Sequence, residues 1–372
     1  MSELIPDPEV RFTCKGCGVC CTSGDDVLIS EAERRELEAR LEAGGRRLFL
    51  RRGGAWALAR DRDTGRCALL TEGDRCEPHE RFGEAAKPAA CRRFPFVSAP
   101  AAGALHVSAS FGCSAVQEGR GAPLKNQTAA LRRAFAQEVA ELDPDARPPE
   151  GAGPLKAMAG KLGKRLFPAM RRLAAFAESA PVIPGGAYDG ARPTEPLGLS
   201  GPARYAFALT VQSDALDTSR LMGRIQGVFT LPRLMGFVHV YRSLQLDEIL
   251  AMGQIWRHPG VLPPESESLL LRFLRSRLRS RLALRRAPSL AAGVTRLLLE
   301  VDLALYFARG LAGEGPVTHA GVRRGLTLAE RMNHPLWGGP DLSRHDPRLP
   351  ELWSDPGVAR AAAILFEPNS PR

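Results

Sequence analysis

The chain has 372 residues, of which 44% are hydrophobic and 25% charged, and its net charge is +10. This composition excludes a chain that is disordered throughout, and the length suits two domains or one domain with a long extension. Neither a run of about 18 apolar residues nor the charged and apolar regions of a signal peptide are present, so we expect a cytoplasmic protein without a transmembrane segment.

Short elements are predicted for residues 10–118, which we expect to form a small mixed domain. A capping box begins a helix at Ser30, where the glutamate three positions later is Glu33, and Gly44-Gly45 ends it. Two short apolar runs flank Gly53-Gly54 and predict a β-hairpin. Elements this short bury few apolar side chains, so we expect the domain to need a further source of stability.

Four cysteines lie on the next predicted elements. A second hairpin is predicted to hold Cys67 and Cys76 on neighbouring strands. Pro88 begins a short helix that carries Cys91, and an alternating apolar strand ends at Cys113.

Helical periodicity follows in residues 119–372, with linkers near residues 143–154 and 181–202. An apolar stripe from Leu131 to Leu142 predicts one helix, and a second from Leu155 to Leu166 predicts another that is broken or kinked at Pro168. Later helices are predicted at residues 203–217, 232–256, 265–286, 289–310 and 317–333. The predicted class is α+β: a small metal-stapled N-terminal α/β cysteine-cluster domain followed by an all-α helical bundle.

Eight cysteines crowd into the first third of the chain, and none follows Cys113. The set is Cys14, Cys17, Cys20, Cys21, Cys67, Cys76, Cys91 and Cys113. Such clustering is typical of a shared metal or a disulfide framework, and a reducing cytosol favours the metal. Unligated thiols buried in a small core are the remaining alternative. We therefore predict all eight cysteines as candidate metal ligands.

The first cysteines have C-x2-C-x2-C spacing, which lets one loop hold three corners of an iron-sulfur cluster. Gly16 and Gly18 suit the left-handed backbone of such a loop. In an extended chain Cys20 and Cys21 would point to opposite faces, so one of them is expected to serve a second site or to support the first. Two closed zinc sites are the alternative, and the wide spacing of the later cysteines favours iron-sulfur over zinc.

Three polar residues near the later cysteines are further candidates. His79 follows Cys76 by three positions and is interpreted as a helix-cap or supporting residue, or alternatively as a ligand. Arg92 and Arg93 follow Cys91 directly. They are predicted to bind a cofactor or substrate carboxylate or to offset thiolate charge, or else to form a solvated face.

An ordered set of residues resembles the YkgJ-type cysteine-cluster family, which is described as zinc- or iron-chelating. The set is Phe12-x-Cys14-x-x-Cys17-Gly18-x-Cys20-Cys21, Cys67-Ala-Leu-Leu, and Cys76-x-x-His79-x-x-x-Gly83-x-x-x-Lys87-Pro88-x-x-Cys91-Arg92-x-Phe94-Pro95. Ser110-Phe-Gly-Cys113 and the long helical extension are similar to the flagellin lysine N-methylase branch. That resemblance implies a [4Fe-4S] cluster and methyl transfer from S-adenosylmethionine to surface lysines of a protein substrate.

Arginines cover most of the predicted helix from Leu269 to Arg286 apart from its leucine stripe. Its arginines are Arg272, Arg275, Arg277, Arg279, Arg281, Arg285 and Arg286. This helix could dock on nucleic acid, an anionic membrane face or an acidic protein, or be a bundle helix with a solvated basic face. In the next helix Arg296, Glu300 and Asp302 interrupt the leucines and are expected to pair within the bundle or to line a polar pocket.

Two hypotheses of function follow. The first is a protein lysine N-methyltransferase with its metal centre at the reaction site. The second is a non-catalytic zinc- or iron-binding module that carries a basic helical domain for binding a partner. A reactive centre needs an open ligand position, whereas a structural one is closed.

Overall fold

The computed structural model describes residues 3–22, 27–41, 45–52, 54–61, 64–101, 103–143, 154–179, 261–284, 287, 289–312, 315–333, 359–360 and 362–363. The predicted helices at 203–217 and 232–256 and the linker at 181–202 lie outside these residues. The linker at 143–154 does so as well, apart from its two end residues.

Strands occur only in the N-terminal third of the described chain. They are β1 (Glu3–Pro6), β2 (Arg11–Phe12), β3 (Leu28–Ile29), β4 (Phe49–Arg52), β5 (Ala55–Leu58), β6 (Phe96–Ala101), β7 (Ala104–Ala109) and β8 (Ala122–Pro123). They form three small sheets with the orders β1-β7-β6, β2-β8 and β3-β5-β4. β1 pairs parallel to β7, and the other pairs are antiparallel.

Helices follow each group of strands and then dominate the later part of the described chain. They are α1 (Glu31–Arg40), α2 (Glu77–Phe82), α3 (Ala89–Arg93), α4 (Ser114–Glu118), α5 (Thr128–Ala134), α6 (Ala136–Ala140), α7 (Pro154–Lys161), α8 (Leu166–Glu178), α9 (Pro264–Arg279), α10 (Leu290–Ala312) and α11 (His319–Asn333). Short 3-10 turns lie at Val19–Cys21, Glu84–Ala86, Leu124–Gln127 and Leu282–Leu284. The α+β class with a helical C-terminal part is confirmed.

The predicted capping box is present at the start of α1. The backbone amide of Glu33 donates to Ser30 Oγ at 3.2 Å, and the Ser30 amide donates to Glu33 Oε2 at 2.9 Å. The other carboxylate oxygen of Glu33 accepts from the Ala89 amide at 2.7 Å. One side chain therefore satisfies the first turns of both α1 and α3, which places the helix that carries Cys91 beside α1.

Two main apolar cores lie in the described structure, beside a small cluster of Val97, Ala99 and Leu282. The larger core joins the β1-β7-β6 sheet to α7–α11 and continues across residue 118, where we predicted a domain boundary. The smaller core lies beneath the β3-β5-β4 sheet and α1 and consists of Ile29, Leu37, Leu41, Leu48, Phe49, Leu58, Cys67, Leu69 and Leu70. Cys21 and Cys91 pack against this smaller core. So few apolar side chains stabilise this region only weakly, which agrees with the expectation that the domain needs a further source of stability.

Buried polar contacts tie the N-terminal sheet to α9. Asp7 follows β1, and its carboxylate accepts from Ser108 at 2.7 Å and from Ser276 at 2.6 Å. Burial raises the pKa of Asp7, although these two hydrogen bonds oppose the rise. Residues 3–6, which the sequence left outside the predicted domain, are thereby part of its sheet and are anchored to the helices.

The arginines of α9 contradict the predicted solvated basic face. Arg272 donates to the Gln117 carbonyl, Arg275 to the Gly163 carbonyl, and Arg279 pairs with Glu9 at 2.5 Å. Arg277 is buried. The prediction was wrong because α9 is packed on most of its sides, so its long side chains reach groups on neighbouring segments instead of water. Arg285 and Arg286 lie outside the described residues.

Two helix predictions need correction for local reasons. The stripe from Leu131 to Leu142 forms two short helices, α5 and α6, which meet at Phe135. The next break lies between Lys161 and Leu166, ahead of Pro168. Pro168 therefore occupies the first turn of α8, where a missing amide hydrogen costs no helical hydrogen bond.

Candidate metal centre

The loop with the first four cysteines turns twice through left-handed glycines. Gly16 and Gly18 both have φ of +66°, as predicted for a chain that wraps an inorganic centre. Gly18 precedes the 3-10 turn Val19–Cys21, in which the Cys21 amide donates to the Gly18 carbonyl at 2.8 Å. This turn places the sulfurs of Cys20 and Cys21 only 3.8 Å apart. Adjacent thiols point to opposite faces only in an extended chain. Because this segment forms a helical turn, the two sulfurs lie close together.

Cys67 is joined to this loop by backbone contacts. Its amide donates to the Cys21 carbonyl at 2.9 Å. Arg60 pairs with Cys67 in an isolated antiparallel bridge, and its guanidinium donates to the same Cys21 carbonyl at 2.8 Å. Cys76 forms a similar bridge with Leu70, so the second predicted hairpin is present as a tight turn with isolated bridges. Cys67 and Arg60 thus both contact the Cys21 carbonyl, and Cys76 lies on the turn that follows Cys67.

The pKa values of Cys20 and Cys21 are shifted by each other and by their neighbours. A hydrogen bond from Cys21 lowers the pKa of Cys20 to about 7, and the charges of Lys87 and Arg60 act in the same direction. The same hydrogen bond raises the pKa of Cys21, as do burial and repulsion from Cys20, Cys67 and Cys91.

Cys76 and Cys91 complete a group of five thiols. Burial raises the pKa of Cys91 to about 12, and repulsion from Cys67, Cys76 and Cys20 adds to it. Burial also raises the pKa of Cys76, with smaller contributions from Cys67 and Cys20. Cys67 belongs to the smaller apolar core, Cys21 and Cys91 pack against it, and Cys76 forms a bridge with Leu70 of the same core. Together with Cys20, which contacts Cys21, they share one region, which we call the thiol cluster.

Cys17 and Cys113 lie at the edge of the thiol cluster. The sulfur of Cys17 is 3.4 Å from the hydroxyl of Ser114, the first residue of α4. Burial raises the pKa of Cys113 to about 11, and Cys20 and Cys17 contribute repulsion. Cys113 is the N-cap of α4 instead of the last residue of its strand, because β7 ends at Ala109. Cys14 is exposed, and no contact described for it reaches another cysteine.

The donor set suits a soft divalent metal ion, because all eight cysteines are free thiols and five of them are gathered in one region. Within the described residues, no group of three or more His, Cys, Asp or Glu side chains has the spacing of a bound metal ion. The Cys20–Cys21 separation of 3.8 Å nevertheless equals the edge of a tetrahedral site, which is about 3.8 Å for zinc–sulfur bonds of about 2.3 Å.

The structure gives the predicted cofactor-binding arginines other contacts. Arg92 donates to the carbonyls of Ala85 and Lys87, and Arg93 pairs with Glu138. These contacts hold α3 against its neighbours. Cofactor binding by the two arginines stays a prediction. His79 lies in α2, and its amide lowers the pKa of Cys76, which agrees with a supporting position.

Two cations at the thiol cluster were missed by the sequence interpretation. Lys87 lowers the pKa of Cys20 and Cys91, and Arg60 lowers the pKa of Cys20 and Cys67. Lys87 was visible as part of the Lys-Pro motif, although its charge was not used. Arg60 left no such signal, because only the fold brings it to the Cys21 carbonyl.

Residues 13–115 match the family model CxxCxxCC, described as a putative zinc- or iron-chelating domain. This segment is similar to the CxxCxxCC family. The match confirms the family resemblance of the sequence and spans all eight cysteines, whereas it does not extend to the flagellin methylase branch. No curated protein and no solved structure matches the chain.

The two glycines of the CxxCxxCC loop permit a matched test. Alanine at Gly16 would meet no atom within 4 Å, whereas at Gly18 its Cβ would lie 3.0 Å from the Asp74 carbonyl oxygen. We expect Gly16→Ala to lose about 1–2 kcal/mol of unfolding free energy from the left-handed backbone alone. Gly18→Ala should lose more and should also weaken metal binding. Denaturant titration and metal analysis measure both effects, and equal losses in the two variants would contradict the prediction.

Proposed function

We propose that the thiol cluster binds a zinc or iron ion that stabilises the smaller apolar core. The single observation that carries this proposal is the convergence of Cys67, Cys76 and Cys91 on the Cys20–Cys21 pair, whose sulfurs lie 3.8 Å apart. Thiolates are ligands of both metals, and metal binding must displace their protons. The match of residues 13–115 to a zinc- or iron-chelating family supports the same function.

The neighbouring cations have a defined part in this function. Four thiolates on one divalent ion leave an excess of negative charge, which a half-buried site tolerates poorly. Lys87 and Arg60 lie close enough to lower the pKa of Cys20. We infer that they offset the thiolate charge and so favour the deprotonated, metal-binding form.

A single tetrahedral ion agrees best with the Cys20–Cys21 geometry. In a [4Fe-4S] cluster each cysteine binds a different iron, so adjacent thiols at the edge length of one tetrahedron suit one ion better. The [4Fe-4S] cluster expected from the C-x2-C-x2-C spacing remains the alternative, with Cys14, Cys17 and Cys113 available as further ligands.

Anaerobic purification followed by iron, zinc and acid-labile sulfide analysis tests this choice. We expect stoichiometric zinc or iron without sulfide. Stoichiometric iron with sulfide would reject the single ion and support the cluster. Protein that contains none of these, and that binds none when metal is supplied, would contradict the proposed function.

The enzyme hypothesis comes from the flagellin branch alone. It proposes methyl transfer from S-adenosylmethionine to lysines of a protein substrate, and no contact in the described part of the chain supports it. Incubation with labelled S-adenosylmethionine and candidate proteins tests it, where label in a lysine side chain supports the activity. The non-catalytic metal module is the alternative proposal.

Location and partners follow from weaker observations. No described helix is long and apolar enough to cross a membrane. We propose the cytoplasm as the location, because a reducing compartment keeps the thiols available for metal. An acidic partner remains a proposal based on the net charge of +10, although the arginines of α9 up to Arg279 are occupied within the protein.

A further inference from the structure

A cavity of about 700 Å³ lies beside the thiol cluster, between the β4-β5 hairpin and the chain that leads to Cys67. Its wall contains six arginines: Arg46, Arg47, Arg51, Arg52, Arg60 and Arg66. Asp61 is the one acidic residue among the described residues that line it. Leu50, Ala59, Ala68 and Leu70 contribute apolar surface. A volume of this size is typical of small-molecule sites, which cover about 300–1,000 Å³.

Arg46 and Arg66 each contact a carboxylate. Arg46 contacts Glu77 at 2.7 Å, and Arg66 contacts Asp74. Asp61 itself accepts hydrogen bonds at Oδ1 from the amide and the hydroxyl of Thr64, at 2.8 and 2.7 Å. Its carboxylate therefore shapes the loop that leads to Cys67.

Three other arginines of the cavity are oriented by backbone carbonyls. Arg47 donates to the Phe49 carbonyl at 3.3 Å, and Arg51 to the Gly54 carbonyl at 2.7 Å. Arg60 donates to the carbonyls of Cys21 and Gly65. A carbonyl fixes the direction of a guanidinium without cancelling its charge, so these contacts hold positive charge in place at the cavity wall.

The thiol cluster explains only part of this charge. Arg60 lowers the pKa of both Cys20 and Cys67, so it belongs to the metal centre as well as to the cavity. Arg51 lies in β4, and Arg47 lies two residues before this strand. The guanidinium carbon of Arg51 is 4.1 Å from the ring centre of Trp56. Like charges concentrated in this way repel one another unless an anion lies between them.

We propose that this cavity binds a small polyanion that carries two or more phosphate groups. The planar guanidinium donates two parallel hydrogen bonds to phosphate oxygens, and several such groups around one cavity match several phosphates. Aromatic side chains are absent from the described lining, so the charge of the phosphates, and not a stacked base, provides the recognition. The site lies within the region that the metal is proposed to stabilise, and both Arg60 and Cys67 join it to the thiol cluster.

Calorimetric titration of the full-length protein with sodium tripolyphosphate at physiological ionic strength tests the proposal. We expect saturable binding with one site per chain. Arg47→Gln and Arg51→Gln should each weaken the dissociation constant by about tenfold, which is roughly 1.4 kcal/mol. Both positions are exposed, so the variants should fold, and their unchanged metal content would show that the metal centre is intact.

Arg35→Gln is the matched control, because Arg35 lies on α1 outside the cavity and its side chain is 74% exposed. Its affinity for tripolyphosphate should equal that of the wild type. If Arg35→Gln weakens tripolyphosphate binding equally, the effect comes from overall charge and the proposed site is wrong. The proposal is also wrong if binding is not saturable, or if citrate binds at least as tightly as tripolyphosphate. Much tighter binding of a single-stranded oligonucleotide at the same arginines would likewise overturn it.

Discussion

Replacing Cys20 with serine is expected to release the bound metal and to loosen the smaller apolar core. Cys20 contacts Cys21 at 3.8 Å, and its charge acts on Cys67, Cys76, Cys91 and Cys113. Loss of this ligand should therefore weaken metal binding by more than about 100-fold, the upper limit found for residues that only support a ligand. Metal analysis and competition with a chelator measure the change.

Hydrogen exchange identifies which part of the fold depends on the metal. In Cys20→Ser, or after chelation of the wild type, we expect faster exchange in residues 27–93, because nine buried side chains alone stabilise that region weakly. The larger core should keep its protection, because it joins the β1-β7-β6 sheet and the helices without the thiol cluster.

Cys14→Ser provides the matched control for the same loop. Cys14 is exposed, and no contact described for it reaches another cysteine. We expect this variant to retain its metal and its exchange pattern. If both variants lose metal equally, Cys14 is a ligand and the five-thiol arrangement is wrong; if neither does, the thiol cluster does not bind the metal.

Removing Glu330 is expected to cost about 3–5 kcal/mol of unfolding free energy, because it would leave the charge of Arg277 buried without its partner. The two side chains are 5% and 6% exposed, and they contact each other at 2.5 Å. Glu330 also accepts from the Ser110 hydroxyl at 2.8 Å and the Phe111 amide at 3.0 Å. It therefore holds α11 to the loop that precedes Cys113.

Denaturant titration of Glu330→Ala, Arg277→Met and the double variant measures this pair. The double variant should recover part of the loss, since it removes both buried charges together. Glu36→Ala is the control, because Glu36 pairs with Arg40 on the exposed surface of α1 and a surface pair contributes about 0–1 kcal/mol. A loss below about 1 kcal/mol in Glu330→Ala would show that the pair does not stabilise the fold.

Local signals in the sequence predicted the elements that depend on neighbouring residues. The capping box of Ser30 and Glu33 specified the start of α1, and Gly18 specified a left-handed turn. The family resemblance was likewise readable, because the cysteine spacing and the Lys-Pro and Arg-x-Phe-Pro motifs lie along the chain. Each of these features is decided within a few residues, where the backbone alone sets the geometry.

Long-range contacts decided what the sequence could not. The second contact of Glu33, with the Ala89 amide, joins segments 56 positions apart, and no capping rule predicts it. The arginines of α9 were read as solvated because periodicity shows a leucine stripe but not how many sides of a helix are covered. Their actual partners, such as Glu330 for Arg277, come from other helices and strands.

The sequence by itself predicted that the eight thiols are candidate ligands of a shared metal, because their spacing and their confinement to one region are visible without coordinates. Only the tertiary structure decided which five gather, that Lys87 and Arg60 accompany them, and that six arginines surround a neighbouring cavity. The physical reason is that electrostatic interactions and metal coordination depend on distance in space, and distant parts of the chain acquire a distance only when packing and hydrogen bonds bring them together.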